Sequence, residues 1–213
     1  MIRWLDFLFP PRVDEFALRA ISLDDFLALV APHLVNDTRP STIMLLPFSD
    51  ARVRMAIHEA KYRGNQHAFM LLSSALADYL RDIDDAGFGT SSVVIVPVPL
   101  GKERHQERGF NQVEEIAQRA LLDMGEERKF KIDAALLERT RETVSQVSLP
   151  RRKREENMRG AFRVVHGATQ RIDPACTYLV IDDVITTGAT IQAAIEALKD
   201  AGAEHIIPLA LAH

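Results

Sequence analysis

The sequence has few of the features that mark disulfide-rich, secreted or membrane proteins. Cys176 is the only cysteine among the 213 residues, so no disulfide can form within the chain. No run of about 18 apolar residues occurs, which predicts that no segment spans a membrane. The apolar segment 1–10 is interrupted by Arg3 and Asp6 and lacks the small-residue cleavage site of a secretory signal. These absences predict a cytoplasmic protein.

Two common nucleotide-binding motifs are missing as well. The chain contains no Gly-x-x-x-x-Gly-Lys-Ser/Thr loop, and no Gly-x-Gly-x-x-Gly sequence follows a predicted strand. These absences exclude a Walker-type nucleotide site and a dinucleotide-binding fingerprint.

The composition that is present predicts one hydrophobic core. Hydrophobic residues make up 47% of the chain, and its length suits one domain with a small appended lobe.

The basic residues are unevenly distributed. The formal net charge of −4 disfavours indiscriminate polyanion binding, yet eight basic and three acidic residues lie between Arg139 and Arg163. A smaller basic group comprises Lys102, Arg104, His105 and Arg108. Both groups could bind phosphate oxygens of pyrophosphate or of nucleic acid, or simply form a solvated basic surface.

The most informative stretch is Tyr178-Leu-Val-Ile-Asp-Asp-Val-Ile-Thr-Thr-Gly-Ala-Thr190. Its apolar start, residues 178–181, predicts a central parallel strand that is covered on both faces. Asp182 and Asp183 follow at the carboxyl end of that strand, where open α/β sheets bind ligands. Two such carboxylates can accept hydrogen bonds from a sugar diol, or hold Mg²⁺ directly or through water.

The turn after the two aspartates is suited to a monophosphate. Its threonines supply hydroxyl donors, Gly188 allows close approach of the backbone, and a helix predicted to begin near Thr187 points its N–H groups at an anion. An ordinary helix N-cap needs only one such residue. The predicted monophosphate site comprises Thr186, Thr187, Gly188, Ala189 and Thr190.

The remaining pattern predicts an α/β protein. Helices are expected from Ser22, from Asp50 to Gly64, over 65–83 and over 111–124. Strands are expected over 42–48, as an edge strand, and over 91–96, 134–139 and 205–211. Pro97-Val-Pro99 ends the predicted strand at 91–96 and leaves the Leu100 and Gly101 amides able to face a pyrophosphate. Residues 140–160 are polar and cationic and are predicted to form a mobile loop.

Val180-Ile-Asp-Asp-Val-Ile-Thr-Thr-Gly-Ala-Thr190 resembles the phosphoribosyl pyrophosphate (PRPP) signature of the type I phosphoribosyltransferases. Val96-Pro-Val-Pro-Leu100, Arg108-Gly-Phe-Asn-Gln112 and Gly160-Ala-Phe162 narrow the resemblance to the ComF/GntX-like family, also described as competence or amidophosphoribosyltransferase-like proteins. The resemblance covers residues 55–213. It implies a type I phosphoribosyltransferase fold, a parallel sheet flanked by helices, with a phosphoribosyltransferase domain at 51–213 and a small N-terminal lobe at 1–50.

The resemblance also implies a role for each matching residue. Asp182 and Asp183 would hold the ribose and Mg²⁺, while Arg104 and Arg108 would stabilise the departing pyrophosphate as catalytic residues. The pyrophosphate would further contact Val98, Pro99, Leu100 and Lys61, although a lysine at a helix end is more often a solvated cap. A flexible loop bearing Gln146, Arg154 and Asn157 would close over the bound sugar.

The chain departs from the family at two points. The Leu8-Phe-Pro-Pro11 segment is not followed by the cysteines of a zinc ribbon, and His33 is the only histidine of the predicted lobe, so no zinc is expected. No N-terminal cysteine nucleophile is present to release ammonia from glutamine.

The sequence is compatible with two functions. The first is phosphoribosyl transfer to an unidentified acceptor. The second is a non-catalytic PRPP-binding competence factor that handles single-stranded DNA with competence or recombination proteins. Aromatic residues are only 7% of the chain, and only Phe110 and Phe162 lie near the basic groups, which weakens the DNA hypothesis. A homodimer stays open in either case.

Overall fold

The computed structural model describes residues 13–86, 92–125, 129–140 and 158–213, with side chains from Phe16 onward. Within these ranges the helices are α1 Val13–Arg19, α2 Leu23–Leu27, α3 Ala51–Arg63, α4 Gln66–Asp85, α5 Lys102–Arg108, α6 Gln112–Met124 and α7 Ala189–Asp200, with a short 3-10 helix at Thr169–Arg171. The strands are β1 His33–Val35, β2 Thr42–Leu46, β3 Val93–Pro97, β4 Phe130–Ile132, β5 Leu137–Arg139, β6 Phe162–Val164, β7 Thr177–Val184 and β8 His205–Ala212.

Six of the strands form one sheet in the order β1-β2-β8-β7-β3-β4. Every neighbouring pair is parallel except β1 with β2, which is antiparallel. Strands β5 and β6 form a separate antiparallel pair. The predicted α/β class with a mostly parallel sheet is thereby confirmed.

Capping residues set the ends of the helices as predicted. The Asp50 side chain accepts a hydrogen bond from the Arg52 amide at the start of α3, and Gly64 ends that helix with φ of 59°. The Asn65 side chain then accepts from the amides of His67 and Ala68 and so begins α4. These short polar side chains satisfy amides that a helix leaves without partners at its first turn.

The sheet separates two main hydrophobic cores, where the composition predicted one, and β7 contributes to both. Leu179 and Ile181 pack on one face, in the core that contains residues of α3, α4 and α6. Tyr178 and Val180 pack on the other face, against α7. Since successive side chains of a strand point to opposite faces, Asp182 continues the α7 face and Asp183 continues the face of α3 and α6.

The predicted edge strand over residues 42–48 is wrong in its position. Strand β2 lies between β1 and β8, because the short strand His33–Val35, which the sequence pattern missed, covers its outer side. Residues on both sides of position 50, the predicted lobe boundary, belong to the same sheet, and Leu18 and Phe26 are buried in its core. None of the helices in the described ranges has the length and hydropathy required to cross a bilayer.

Candidate functional site

The register of the central strands brings two predicted segments together. Pro97, the last residue of β3, pairs with Ile181 of β7, and the Val98 amide donates to the Ile181 carbonyl at 2.9 Å. Asp182 and Asp183 come next in β7. The turn after β3 and the two carboxylates therefore lie at the same edge of the sheet.

A cleft of about 820 Å³ opens at this edge. Helix α3 forms one wall, and α5 with the start of α6 forms another. The residues predicted from the sequence that line the cleft are Lys61, Val98, Pro99, Leu100, Arg104, Arg108, Asp182, Asp183, Thr186 and Thr190. Residues 122 positions apart, Lys61 and Asp183, are in direct contact there.

Asp183 is held from three directions. The Lys61 ammonium and the Gln112 side-chain amide both donate to Oδ2 at 2.7 Å, and the Val184 backbone amide donates to Oδ1 at 2.7 Å. The residue is 6% exposed. Burial by itself would raise the pKa of Asp183, but the charge and hydrogen bond of Lys61, with the two amide donors, outweigh it and lower the pKa. The carboxylate is thus ionised and neutralised by protein groups.

Asp182 has a different environment. Its Oδ1 accepts a hydrogen bond from the Asp183 amide at 2.9 Å, and among the described residues its Oδ2 accepts none. Burial and the negative charge of Asp183 raise the pKa of Asp182 to about 7, against the opposing charges of Lys61 and Arg139. Adjacent carboxyl groups therefore have pKa values shifted in opposite directions.

The threonine-rich turn divides into two parts. Thr186 and Thr190 line the cleft, whereas Thr187, Gly188 and Ala189 are buried and lie outside its lining. Helix α7 begins at Ala189, two residues later than predicted. The predicted phosphate residues are therefore contiguous with the cleft, but their side chains do not all face it.

Gly188 has a packing role that the sequence did not reveal. Its φ is 81°, and a Cβ at this position would lie 2.6 Å from the Arg39 carbonyl oxygen. The Arg39 amide donates to the Thr187 carbonyl at 3.2 Å, so the segment before β2 closes directly onto this turn. Only glycine combines that backbone conformation with so close a neighbour.

The turn also has amides suited to an anion. No hydrogen bond within the described ranges uses the amides of Thr187 and Gly188, and the Ala189 amide has only the Thr187 hydroxyl at 3.4 Å. The first two amides precede α7, a helix of 12 residues, and the third belongs to its first residue. Consecutive unsatisfied N–H groups at a helix N-terminus favour binding of phosphate.

Arg108 is connected to Asp183 through a third side chain. Its Nη1 donates to Oε1 of Gln112 at 3.1 Å, and the amide of the same glutamine donates to Asp183. The guanidinium also lies 5.0 Å from the centroid of the Tyr62 ring. Arg108 is therefore oriented at the cleft wall by α6 and α3.

Several lining residues were not predicted as site residues. Gln112 belongs to the motif Arg108-Gly-Phe-Asn-Gln112, but its partner Asp183 lies 71 positions away. The sequence analysis assigned Arg139 only to the basic group at 139–163, whereas in the structure it extends from β5 into the lining of the cleft. The unpredicted wall of α3 comprises Ala51, Arg54, Met55, Ile57, His58 and Tyr62. No local pattern distinguishes these residues from an ordinary helix surface.

The three residues assigned to the predicted flexible loop, Gln146, Arg154 and Asn157, lie outside the described residues.

The two aromatic residues near the basic groups have packing contacts. Phe110 packs edge to face on Phe69 with ring centroids 5.7 Å apart, and Phe162 is 5% exposed beneath Arg139. The two aromatic residues considered for base stacking are thus engaged in packing.

The donor atoms suit Mg²⁺ only in part. Within the described ranges no group of three His, Cys, Asp or Glu side chains could enclose a metal ion. Mg²⁺ commonly uses one or two carboxylates and completes its shell with water and substrate phosphates. Oδ2 of Asp182 fits that requirement, while Oδ2 of Asp183 already has two donors.

Comparison with known proteins adds no family assignment. No protein-family model matches the chain, and no curated protein gives a significant match.

Proposed function

We propose that the protein binds phosphoribosyl pyrophosphate with Mg²⁺ and transfers the phosphoribosyl group to an unidentified acceptor, with release of pyrophosphate. In this proposal the fold is that of a type I phosphoribosyltransferase and the chain is a ComF/GntX-like member. One observation carries most weight: the turn after β3 and the Asp182-Asp183 pair with its threonine turn line one cleft. These segments are more than about 80 residues apart in sequence and are joined by the pairing of β3 with β7.

The charges around the cleft match a ligand with phosphate groups at both ends. Thr186 and Thr190, which line the cleft and flank the turn before α7 in sequence, would bind the 5′-phosphate. Arg104 and Arg108 on α5, next to Pro99 and Leu100, would bind the pyrophosphate. The ribose would then lie over the carboxyl end of β7, beside Asp182.

In the proposed reaction the bond between C1′ and the pyrophosphate oxygen breaks, and a bond from the acceptor to C1′ forms. Positive charge develops on the ribose, and negative charge develops on the departing pyrophosphate. Arg104 and Arg108 would stabilise that departing anion. Mg²⁺, held by Asp182, would supply further neutralisation of the phosphate oxygens. The 5′-phosphate does not react, so its binding serves to orient the sugar.

The DNA-handling alternative receives less support from the described residues. Single-strand binding usually combines a cationic groove with exposed aromatic side chains on which bases stack. Phe110 and Phe162 are packed against Phe69 and Arg139, and neither is in the lining of the cleft. Phe48 and Tyr62 line the cleft, but Phe48 is partly buried against the hydrophobic core, whereas Tyr62 is 55% exposed. One well-exposed ring gives a weak platform for a nucleic-acid strand.

Isothermal titration calorimetry with PRPP and Mg²⁺ tests the proposal directly. Asp182→Asn should weaken binding at least about tenfold, which corresponds to about 1.4 kcal/mol. Asp200→Asn, an exposed change at the far end of α7 with the same charge difference, should leave the affinity unchanged. Equal affinity of the wild type and Asp182→Asn, or no binding by the wild type, would exclude this site.

A further inference from the structure

The two adjacent aspartates differ in what they can still bind. Their side chains point to opposite faces of the sheet, because they are consecutive residues of β7. Asp183 faces α3 and α6 and contacts Lys61 and Gln112. Asp182 faces the α7 side, and its Oδ2 accepts no hydrogen bond from any described residue.

Counting acceptor positions shows how fully Asp183 is engaged. A carboxylate offers about four lone-pair positions. Three are occupied by protein donors, two at Oδ2 and one at Oδ1, and one of those donors is a full positive charge at 2.7 Å. A metal ion at Oδ2 would have to displace the Lys61 ammonium.

The position of Lys61 does not fit a solvated helix cap. The residue lies in the last turn of α3, but the C-cap of that helix is Gly64, whose amide bonds to the Glu59 carbonyl. The Lys61 side chain is 23% exposed and its ammonium crosses to β7. A cap that complements the helix dipole would instead stay near the α3 carbonyls.

We infer that Lys61 is the built-in counter-cation of Asp183. The ion pair removes Asp183 from metal coordination and leaves Asp182 as the carboxylate that receives a divalent cation in this cleft. This inference deepens the proposed function by assigning the two aspartates different roles. It rests on the proposed function only for the identity of the phosphate ligand, since the carboxylates can be tested with a metal ion alone.

Removal of the Lys61 charge should therefore create a stronger cation site. In Lys61→Met, Asp183 would have no ammonium partner, and a divalent ion would meet two carboxyl groups in place of one without the repulsion of the ammonium. At an effective dielectric constant of about 20, a unit charge within roughly 6 Å changes the affinity for a cation by at least about tenfold. If loss of the ion pair causes the higher affinity for the cation, the increase must disappear when Asp183 is replaced as well.

The experiment is a Mn²⁺ titration at pH 8, followed by the electron paramagnetic resonance signal of unbound Mn²⁺. Lys61→Met should bind Mn²⁺ at least about tenfold more tightly than the wild type. Lys61→Met/Asp183→Asn should return to the wild-type affinity, and Lys61→Met/Asp182→Asn should lose the tight site. Lys61→Arg, which keeps the ion pair, should behave as the wild type.

Arg63→Met is the matched control. Arg63 is exposed and lies in the same last turn of α3, so its loss changes the net charge equally without touching Asp183. A screened surface charge should alter Mn²⁺ affinity less than about threefold. Circular dichroism and thermal unfolding of every variant would show that it is folded, and Lys61→Gln provides a second neutral variant if Lys61→Met is not.

Two results would overturn the inference. One is equal Mn²⁺ affinity of wild type and the neutral Lys61 variant, including failure of both to bind. The other is tight binding that persists in Lys61→Met/Asp183→Asn. Neither result depends on PRPP, so the inference can fail while calorimetry with PRPP still supports the proposed function, and the reverse also holds.

Discussion

At the residue scale, two carboxyl groups that are neighbours in sequence have different surroundings in the cleft. The Lys61 ammonium and the Gln112 amide donate to Oδ2 of Asp183. Oδ2 of Asp182 accepts no hydrogen bond from a described residue, and its Oδ1 accepts only from the Asp183 amide. The two groups should therefore respond differently to pH.

The raised pKa of Asp182 leads to a prediction about stability. In the unfolded chain the Asp pKa is about 3.9, and in the folded protein burial and the charge of Asp183 raise the pKa of Asp182 to about 7. Between these values the folded state binds more protons than the unfolded state. The contribution of Asp182 to the free energy of unfolding should therefore fall as pH rises from about 4 to about 7.

Urea denaturation in the presence of EDTA measures this effect. The stability of the wild type relative to Asp182→Asn should be lower at pH 8 than at pH 5. Asp183 does not obscure the comparison, because its pKa is lowered. The contribution of ionised Asp183 to the free energy of unfolding is present above the unfolded-state pKa of about 3.9 and is lost only at lower pH. A stability difference that is constant from pH 5 to pH 8 would contradict the assignment to Asp182.

The sequence predicted which side chains line the cleft better than it predicted their partners. Asp182, Asp183, Arg104 and Arg108 were assigned to one site and lie in one cleft. The ion pair of Asp183 with Lys61 was not predicted, because it joins the end of a helix to a strand 122 positions away. Motif spacing reports residue types, whereas a contact of this kind requires the packed positions of α3 and β7.

At the element scale, helix ends were predicted closely and strand order was not. The caps at Asp50, Gly64 and Asn65 are local, since each side chain or backbone conformation acts within a few residues. The place of β2 inside the sheet depends on β1, a strand of only three residues, two of which are exposed. Such a strand has too little apolar alternation to be predicted from the sequence.

The turn that joins β7 to α7 gives a prediction with an internal control. Gly188 and Gly167 have nearly the same φ, 81° and 80°, but a Cβ would meet the Arg39 carbonyl at 2.6 Å only at Gly188. At Gly167 a Cβ would have no atom within 4 Å. Substitution by alanine at Gly167 should therefore cost about 1–2 kcal/mol, the cost of left-handed backbone alone.

Gly188→Ala should cost more than Gly167→Ala, by a further 1–3 kcal/mol or so, because the Arg39 segment must also move. Chemical denaturation of the two variants measures the difference in unfolding free energy. PRPP affinity should fall in Gly188→Ala and stay at the wild-type level in Gly167→Ala. Equal destabilisation by the two substitutions would show that the contact between the Arg39 segment and the turn is not tight in solution.

At the scale of the whole molecule, the α/β class followed from the order of strand and helix patterns along the chain. Parallel pairing of β3, β7 and β8 follows from that order, because each is separated from the next by helices. The shape of the cleft could not be predicted from the order of strands and helices. Walls from α3, α5 and β5 meet at the sheet edge only after the two hydrophobic cores are packed.

Because the cleft is lined by segments from across the described chain, a ligand that binds there should stabilise the whole fold. PRPP with Mg²⁺ at about 100 times its dissociation constant should add about 2.7 kcal/mol to the free energy of unfolding and raise the unfolding temperature. A labelled single-stranded oligonucleotide should not raise the free energy of unfolding, because the aromatic residues near the cleft are mostly packed. Differential scanning calorimetry at two salt concentrations compares the two ligands. Larger, salt-sensitive stabilisation by the oligonucleotide would favour the DNA-handling function, since release of counterions makes such binding fall steeply with salt.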